Sequence, residues 1–449
     1  MNLSLDQQID LDVRSLGSSG EGVGTYEGFI VFVEGALPDE RIRVSISEIK
    51  KKYARGKLLF VLRRSPHRVT PTCPIFEKCG GCQLMHLNYP MQLTTKHQTV
   101  LNALQRIGHF KEIVVDPCVS SPQQLSYRNK IQLPVVLNPE GVTVGLYARQ
   151  SHTVIPVEHC YIHGEQGEKV SKKIITLLKK SGIPPYQESL GEGIIRHLLI
   201  KTAVKTKEVL VILVTSGHQH PALPALAKAI KAACPEVKGV VQNINRSRLN
   251  TILGNEWHTL EGVPYIQETI CDKSFRISPS AFSQVNPAQA ESIYKYILKL
   301  AELDDTKTFL DAFCGVGVMA ILAASQAKLS IGIECVPQAI EDARHNAQLN
   351  ELTNCLFYCD QAESKIHALK NIDVVFLNPP RKGCEESLLR KIKELKAQSI
   401  IYMSCDPATL ARDLKILVEE GYKIESVTPF DMFPQTSHVE CVVKLVPNA

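Results

Sequence analysis

Nowhere in the 449 residues do eighteen apolar side chains run uninterrupted, and the first residues hold no basic segment leading into an apolar run and a small-residue cleavage site. A spanning helix needs about 20 apolar residues and a secretory leader needs that three-part start. The expectation is a cytoplasmic chain that engages no membrane. Internal repeats and low-complexity tracts are also missing. Charge of one sign is scarce: 51 Lys and Arg against 46 Asp and Glu leave a net +5, too mild to name a partner. With 44% hydrophobic and 22% charged residues, the chain can fill several cores and suits two or three domains.

What is present is unevenly placed. Fourteen cysteines are many for a cytoplasmic chain, and their irregular spacing over this length does not suggest a disulfide lattice. Residues 41–68 hold ten Lys or Arg and one acid, Glu48, a density that suits a phosphate backbone as well as a solvated face. This stretch closes a first part, residues 1–64, in which Gly17, Gly20, Gly22, Gly24 and Gly28 precede the runs Phe29–Val33 and Arg41–Ile46. Short β-rich runs broken by Gly and Pro predict a small antiparallel barrel. Residues 65–265 mix strand-like runs (131–137, 209–214) with amphipathic helices (92–107, 168–180) and read as a mixed α/β domain.

Residues 266–449 form the third part and alternate more regularly. Helices are predicted over 287–302, 317–327, 337–350, 385–396 and 407–420. Strands are predicted over 307–313, 329–334, 354–359, 372–377 and 398–404, with two closing strands near 422–429 and 438–445. That order is a Rossmann-like, doubly wound, mostly parallel sheet, which binds ligands beyond its strands' carboxyl ends. The first strand there ends in Asp311-Ala312-Phe313-Cys314-Gly315-Val316-Gly317, the second in Glu334 and the third in Asp360. The glycines allow close approach of a cofactor, Glu334 can accept from ribose hydroxyls, and Asp360 can bond an adenine amine. Only two glycines, without the denser Gly-x-Gly-x-x-Gly of a pyrophosphate site, suit the sulfonium of S-adenosylmethionine; a different nucleotide is the alternative.

The fourth strand delivers Asn378-Pro379-Pro380-Arg381. Amino-group methyltransferases place an aromatic residue where Arg381 stands, so exocyclic-amine methylation is the secondary reading and a ring carbon the first. The fifth strand ends in Ser404-Cys405-Asp406-Pro407, which puts a thiol at a strand-to-helix junction where positive helix termini can stabilise a thiolate; a small buried cysteine is the plainer reading. Carbon 5 of uracil is a poor nucleophile. Its methylation requires thiolate addition at carbon 6 and a base that removes the carbon 5 proton. Glu440, before the apolar run Cys441-Val442-Val443, can be that base with a raised pKa, or a solvent-facing acid at a strand start. Elsewhere, Cys73, Cys79 and Cys82 follow a Cys-x5-Cys-x2-Cys spacing with Cys160 the candidate fourth ligand. Four thiolates suit zinc or an iron–sulfur cluster, and unligated structural cysteines are the remaining alternative.

Taken together, these residues resemble the bacterial RNA uracil-5-methyltransferase family, most closely its cluster-containing 23S ribosomal RNA members, over nearly the whole chain. The resemblance implies a TRAM-type, OB-like barrel at residues 1–64, a [4Fe–4S] cluster on Cys73, Cys79, Cys82 and Cys160 with zinc as the alternative, and a methyltransferase sheet. It implies S-adenosylmethionine contacts at Gln284 (in Phe282-Ser283-Gln284-Val285-Asn286), Phe313, Glu334 and Asn378, with Asp360 beside them. Asp311, Gly315 and Gly317 complete the expected cofactor set. Ser126-Tyr127-Arg128-Asn129-Lys130 is a further family-like segment, and Ser404–Asp413 identifies Cys405 as nucleophile, with Glu440 as base. Asn378 replaces a usual Asp and Val318 an Asn found in some members. A monomer acting on ribosomal RNA, with transfer RNA second, is expected; a non-catalytic RNA-binding protein would lack the thiol or the base.

Overall fold

The computed structural model describes residues 3–217 and 220–448. Five strands, β1 (Gln8–Leu16), β2 (Gly22–Tyr26), β3 (Phe29–Val33), β4 (Arg41–Ile49) and β5 (Tyr53–Arg63), close a barrel in the order β1-β2-β3-β5-β4. Period-2 alternation points Ile9, Leu11, Val13, Val31, Val33, Ile42, Val44 and Ile46 inward. The sequence predicts an antiparallel barrel, and the structure departs from this at one pair. Because β4 pairs with β1 and β5, β5 returns beside β3 in the same direction.

The pairing of β1 with β4 also changes the basic stretch. Asp10 faces Arg43 and Asp12 faces Arg41, giving ion pairs of 2.7 Å and 3.5 Å. Arg63 joins Asp12, Lys50 joins Glu48, Arg55 joins Glu21 and Glu48, and Arg68 joins the fully buried Glu40. Lys51, Lys52, Lys57 and Arg64 are exposed and have no carboxylate partner among the described residues. Of the ten basic residues at 41–68, these four are therefore the ones without an ion pair among the described residues.

The helix α1 (Tyr89–Arg106) precedes a seven-stranded sheet built from β6 (Lys130–Asn138), β7 (Gly141–Tyr147), β8 (Val154–Pro156), β9 (Ile195–Thr202), β10 (Val209–Thr215), β11 (Val237–Ile244) and β12 (Glu256–Gly262). Its order is β12-β11-β10-β9-β6-β7-β8, and α2 (Glu165–Ser181) and α3 (Leu223–Ala233) bury their apolar faces against it. β9 and β10 are buried on both faces because a hairpin, β13 (Ile266–Ile270) and β14 (Lys273–Ile277), covers the other side through Ile266 and Ile277.

The last sheet follows. It contains β15 (Thr308–Asp311), β16 (Leu329–Glu334), β17 (Cys355–Cys359), β18 (Val374–Leu377), β19 (Ser399–Ser404), β20 (Tyr422–Phe430) and β21 (Glu440–Pro447). The helices α4 (Pro287–Ala301), α5 (Val318–Ala324), α6 (Pro337–Leu349), α7 (Ala362–Lys365), α8 (Glu386–Leu395) and α9 (Pro407–Glu419) connect and cover them. The order β17-β16-β15-β18-β19-β21-β20 reverses direction of growth between β15 and β18, which opens a crevice at the strands' carboxyl ends. β21 enters antiparallel beside β19.

α1 lies within residues 65–265, read from the sequence as the middle domain, yet Val100 and Leu104 are buried in the same core as Leu414 and Leu417 of α9. Each such side chain contributes roughly 1.5–3 kcal/mol to holding α1 on the last sheet. The amphipathic pattern of α1 marks a buried stripe but not the surface that buries it.

Candidate active site

A cavity of about 250 Å³ opens at the switch between β15 and β18. Its walls include five expected cofactor residues, Gln284, Asp311, Phe313, Gly315 and Asn378. Gly317 caps α5 with a left-handed φ of 86°, and a Cβ there would stand 3.0 Å from that of Ala343, so only glycine turns the chain into the helix without strain. Glu334 and Asp360 stand at neighbouring strand ends outside the cavity wall. The Glu334 carboxylate accepts from the N–H groups of Gly315 at 3.3 Å and Val336 at 3.0 Å, while Asp360 is exposed. Asp311 is buried and its carboxyl is pushed up to about 7 by that burial. A cationic ligand beside it would favour the carboxylate.

The opposite wall comes from residues the sequence did not single out. Ile270, Phe275 and Ile277 of the hairpin, with Tyr294 of α4, enclose the apolar side. The segment carrying Gln284 is held by its neighbours: the backbone N–H of Asn129 donates to the Val285 carbonyl at 3.0 Å, and the buried Lys201 donates to the carbonyls of Ser278 and Ala281 at 3.1 and 2.6 Å. Asn286 caps α4 by accepting from Gln289 N–H and donates to Ser121 Oγ at 3.0 Å. The two family-like segments around residues 126–130 and 282–286 are therefore joined in space.

Cys405 and Glu440 are 35 positions apart (440 − 405) but adjacent across β19 and β21, where Ser404 pairs with Cys441. Glu440 is 2% exposed. Burial pushes its carboxyl up to about 8, with Arg381 acting against the rise. The half-buried Cys405 thiol is also pushed up, by burial first and then by Glu440, while Arg381 lowers it through its charge and a hydrogen bond. The helix terminus expected to stabilise a thiolate does not prevail. Asp406 caps α9, accepting from Ala408 and Thr409 N–H at 2.9 and 3.0 Å, and so places a carboxylate beside the thiol.

Arg381, read from the sequence only as a departure from amine methyltransferases, is thus the cation that both groups face. The rest of the Ser404–Asp413 signature explains its placement. The buried Asp413 accepts from Cys384 N–H at 2.8 Å and from Tyr402 Oη at 2.6 Å. Arg412 donates to the carbonyl of Lys382 at 2.8 Å, so α9 pins the turn after Pro380.

Away from this site, Cys73, Cys79, Cys82 and Cys160 line one cavity with Met85, Arg128 and His159. Burial raises the thiols of Cys79, Cys82 and Cys160, the last to about 11. Arg149 fixes the loop, donating to the carbonyls of Cys79 at 3.1 Å and Phe76 at 2.9 Å. Among the described residues, no group of three or more His, Cys, Asp or Glu side chains is arranged closely enough to hold a metal ion. The donor set nevertheless suits a thiophilic group, because buried thiolates need a nearby positive centre.

A class follows from the sheet and its cavity: an α/β methyltransferase fold behind an N-terminal TRAM barrel. Residues 89–447 match the family described as tRNA (Uracil-5-)-methyltransferase, and residues 6–59 match the TRAM domain. The chain is 39% identical over 441 residues to an RNA methyltransferase of Halalkalibacterium halodurans, covering 97% of this chain and 96% of that one. It is 40% identical over 435 residues to an RNA methyltransferase of Staphylococcus aureus, covering 96% of each. Among solved structures, the Pyrococcus abyssi tRNA (uracil-54, C5)-methyltransferase in complex with S-adenosyl-L-homocysteine superposes with a TM-score of 0.77 at 27% identity, covering 98% of this chain and 100% of that one. The chain belongs to the RNA uracil-5-methyltransferase family and is an S-adenosylmethionine-dependent enzyme. No described helix is long and apolar enough to cross a membrane.

Proposed function

We propose that this enzyme methylates carbon 5 of a uridine in ribosomal RNA through a covalent bond between Cys405 and carbon 6. The observation that carries the reading is that a thiol and a buried carboxyl, Cys405 and Glu440, flank the Ser404–Cys441 pair that joins the ends of β19 and β21. When bound in the cavity at the switch point, S-adenosylmethionine supplies an electrophilic methyl group. Gln284, Asp311, Phe313, Gly315 and Asn378 hold it, with Gly317, Glu334 and Asp360 shaping the adjoining strand ends. Asn378 retains a hydrogen-bonding amide where the family usually has a charge.

Cys405 gives its proton to solvent, and its sulfur bonds to carbon 6 of a uridine flipped from its stack, moving the electron pair of the carbon 5–carbon 6 double bond toward carbon 5 and the carbon 4 oxygen. Carbon 5 takes the methyl group, whose bond to the donor sulfur breaks with its electron pair staying on that sulfur, leaving S-adenosylhomocysteine. Glu440 then removes the carbon 5 proton, the carbon 5–carbon 6 double bond re-forms, and the carbon–sulfur bond breaks with its electron pair returning to Cys405. Arg381 stabilises both anionic groups between steps. Lys51, Lys52, Lys57 and Arg64 of the barrel bind RNA phosphates.

We assign the four-cysteine cavity to a [4Fe–4S] cluster, with zinc as the alternative, because four thiols, Cys79 buried and the other three partly buried, line one pocket with no carboxylate in its wall to add like charge. Assembly would draw them into coordination. A ribosomal target is favoured by the TRAM barrel together with this cluster; a transfer RNA loop is second. The test of the reaction is RNA carrying tritium at carbon 5 of uridine, incubated with enzyme and methyl donor. Tritium is expected in water in step with methylation. Methyl transfer with the tritium retained would place the reaction on another atom.

A further inference from the structure

Glu440 enters its strand from residues 431–439, a largely buried segment with neither helix nor strand. Its backbone is organised by other parts of the chain. Gln435 has a left-handed φ of 70°, a conformation that a non-glycine residue keeps only where its surroundings impose it. Two amides immediately after Cys82 impose it: Gln83 and Leu84 N–H both donate to the Gln435 carbonyl, at 3.0 and 2.9 Å.

A second tie is reciprocal. Gln92, in the first turn of α1 and 1% exposed, donates from Nε2 to Gln435 Oε1 at 3.0 Å and accepts from Gln435 N–H at 3.0 Å. The same Nε2 donates to the carbonyls of Leu84 at 3.1 Å and Leu87 at 2.8 Å. One side chain therefore holds both the end of the cysteine-bearing loop and the segment that delivers Glu440. Tyr127 Oη, donating to the Pro434 carbonyl at 3.1 Å, adds a third attachment.

We propose that Gln92 and Gln435 are a positioning pair that ties the cysteine-bearing loop to the segment delivering Glu440, so that the order of this loop sets the rate of proton removal at carbon 5. The inference rests on reading Glu440 as the base. A base must lie within hydrogen-bond reach of the proton it takes, and a displacement of about 1 Å can cost on the order of 10²-fold. Cys405 is carried by β19 and α9 and touches neither glutamine, so addition and methyl transfer are spared.

Two variants of the full-length enzyme test this. Gln435→Asn preserves a residue that tolerates the left-handed backbone and withdraws the side-chain oxygen from Gln92 Nε2, leaving only the backbone half of the tie. Gln92→Leu removes the partner at similar size with a good helix former. Each is mixed with labelled methyl donor and an unmodified ribosomal or transfer RNA transcript that the wild type methylates. Formation of the covalent adduct and donor affinity are expected within about two-fold of wild type, while the methylated adduct resolves roughly ten-fold more slowly or worse. Amide deuterium uptake over residues 432–438 is expected to rise, and the double variant is expected to be little slower than either single one. Adduct that resolves at the wild-type rate, or addition slowed as much as resolution, overturns the proposal. Glu440→Gln run alongside separates the two readings. If it too resolves normally, the base assignment fails; if it stalls while Gln435→Asn does not, only the positioning pair fails.

Discussion

Replacing Glu440 by Gln is expected to stabilise the protein increasingly as pH rises. Burial holds the Glu440 carboxyl at about 8 against an ordinary 4.5, so between these values the folded chain keeps a proton that the unfolded chain has released. Stability contributed by this group is then lost with increasing pH, because the unfolded state binds fewer protons there. At about 1.4 kcal/mol per pH unit, the interval sets an upper bound of roughly 5 kcal/mol on the cost of carrying Glu440 in alkaline solution. Glutamine has similar volume and no proton to release. Urea unfolding of wild type and Glu440→Gln at pH 5.5, 6.5, 7.5 and 8.5 is expected to show the variant gaining about 3 kcal/mol relative to wild type across the series. Parallel stability curves, or a gain at the acid end, would show that the carboxyl is not held protonated in the folded chain. The same property makes proton removal faster as pH rises toward 8, since only the carboxylate can act as base.

Three further outcomes follow from other parts of the molecule. Charge reversal at Lys51, Lys52 or Lys57 should each reduce the slope of log RNA affinity against log salt by about 1, whereas Arg41→Gln or Arg43→Gln, whose charges already face Asp12 and Asp10, should change it little; equal effects at all five would remove the distinction. Lys96 and Asp431 form a fully buried ion pair, so Lys96→Met should cost about 3–5 kcal/mol by stranding a carboxylate and Lys96→Met/Asp431→Leu should recover most of it, which a denaturant double-mutant cycle measures. Protein purified without oxygen should contain iron and sulfide with broad visible absorbance, and Cys82→Ser should lose both; zinc in place of iron would select the alternative metal.

Much of the last sheet was legible because each strand end carries its chemistry at a break in hydrophobic pattern. Asp311, Glu334, Asp360, Asn378 and Cys405 mark five successive parallel strand ends, and a doubly wound sheet gathers such ends at one edge. The proximity of the two proposed catalytic residues was implied by the resemblance alone and not legible in the hydrophobic pattern. An apolar run beginning at Glu440 predicts a strand but not its neighbour, and only the antiparallel insertion of β21 beside β19 brings Glu440 to Cys405. Partners distant in sequence account for the other departures. Asp10 and Asp12 neutralise arginines that look like a phosphate-binding run, and α1 is buried by a sheet that begins some two hundred residues later. Arg381 was visible as an exception to a motif, while its charge acts on both the thiol and the carboxyl from a turn that Arg412 and Asp413 of α9 hold.

The central claim, that Cys405 adds to the base and Glu440 takes its proton, is tested most directly by denaturing electrophoresis of enzyme–RNA mixtures with a labelled methyl donor. Cys405→Ala should form no adduct. Glu440→Gln should add and transfer the methyl group but stall before elimination, and so accumulate a denaturant-resistant protein–RNA band that carries the label. A labelled band from Cys405→Ala, or none from a folded Glu440→Gln enzyme that still binds RNA and methyl donor, would contradict the assignment of both residues.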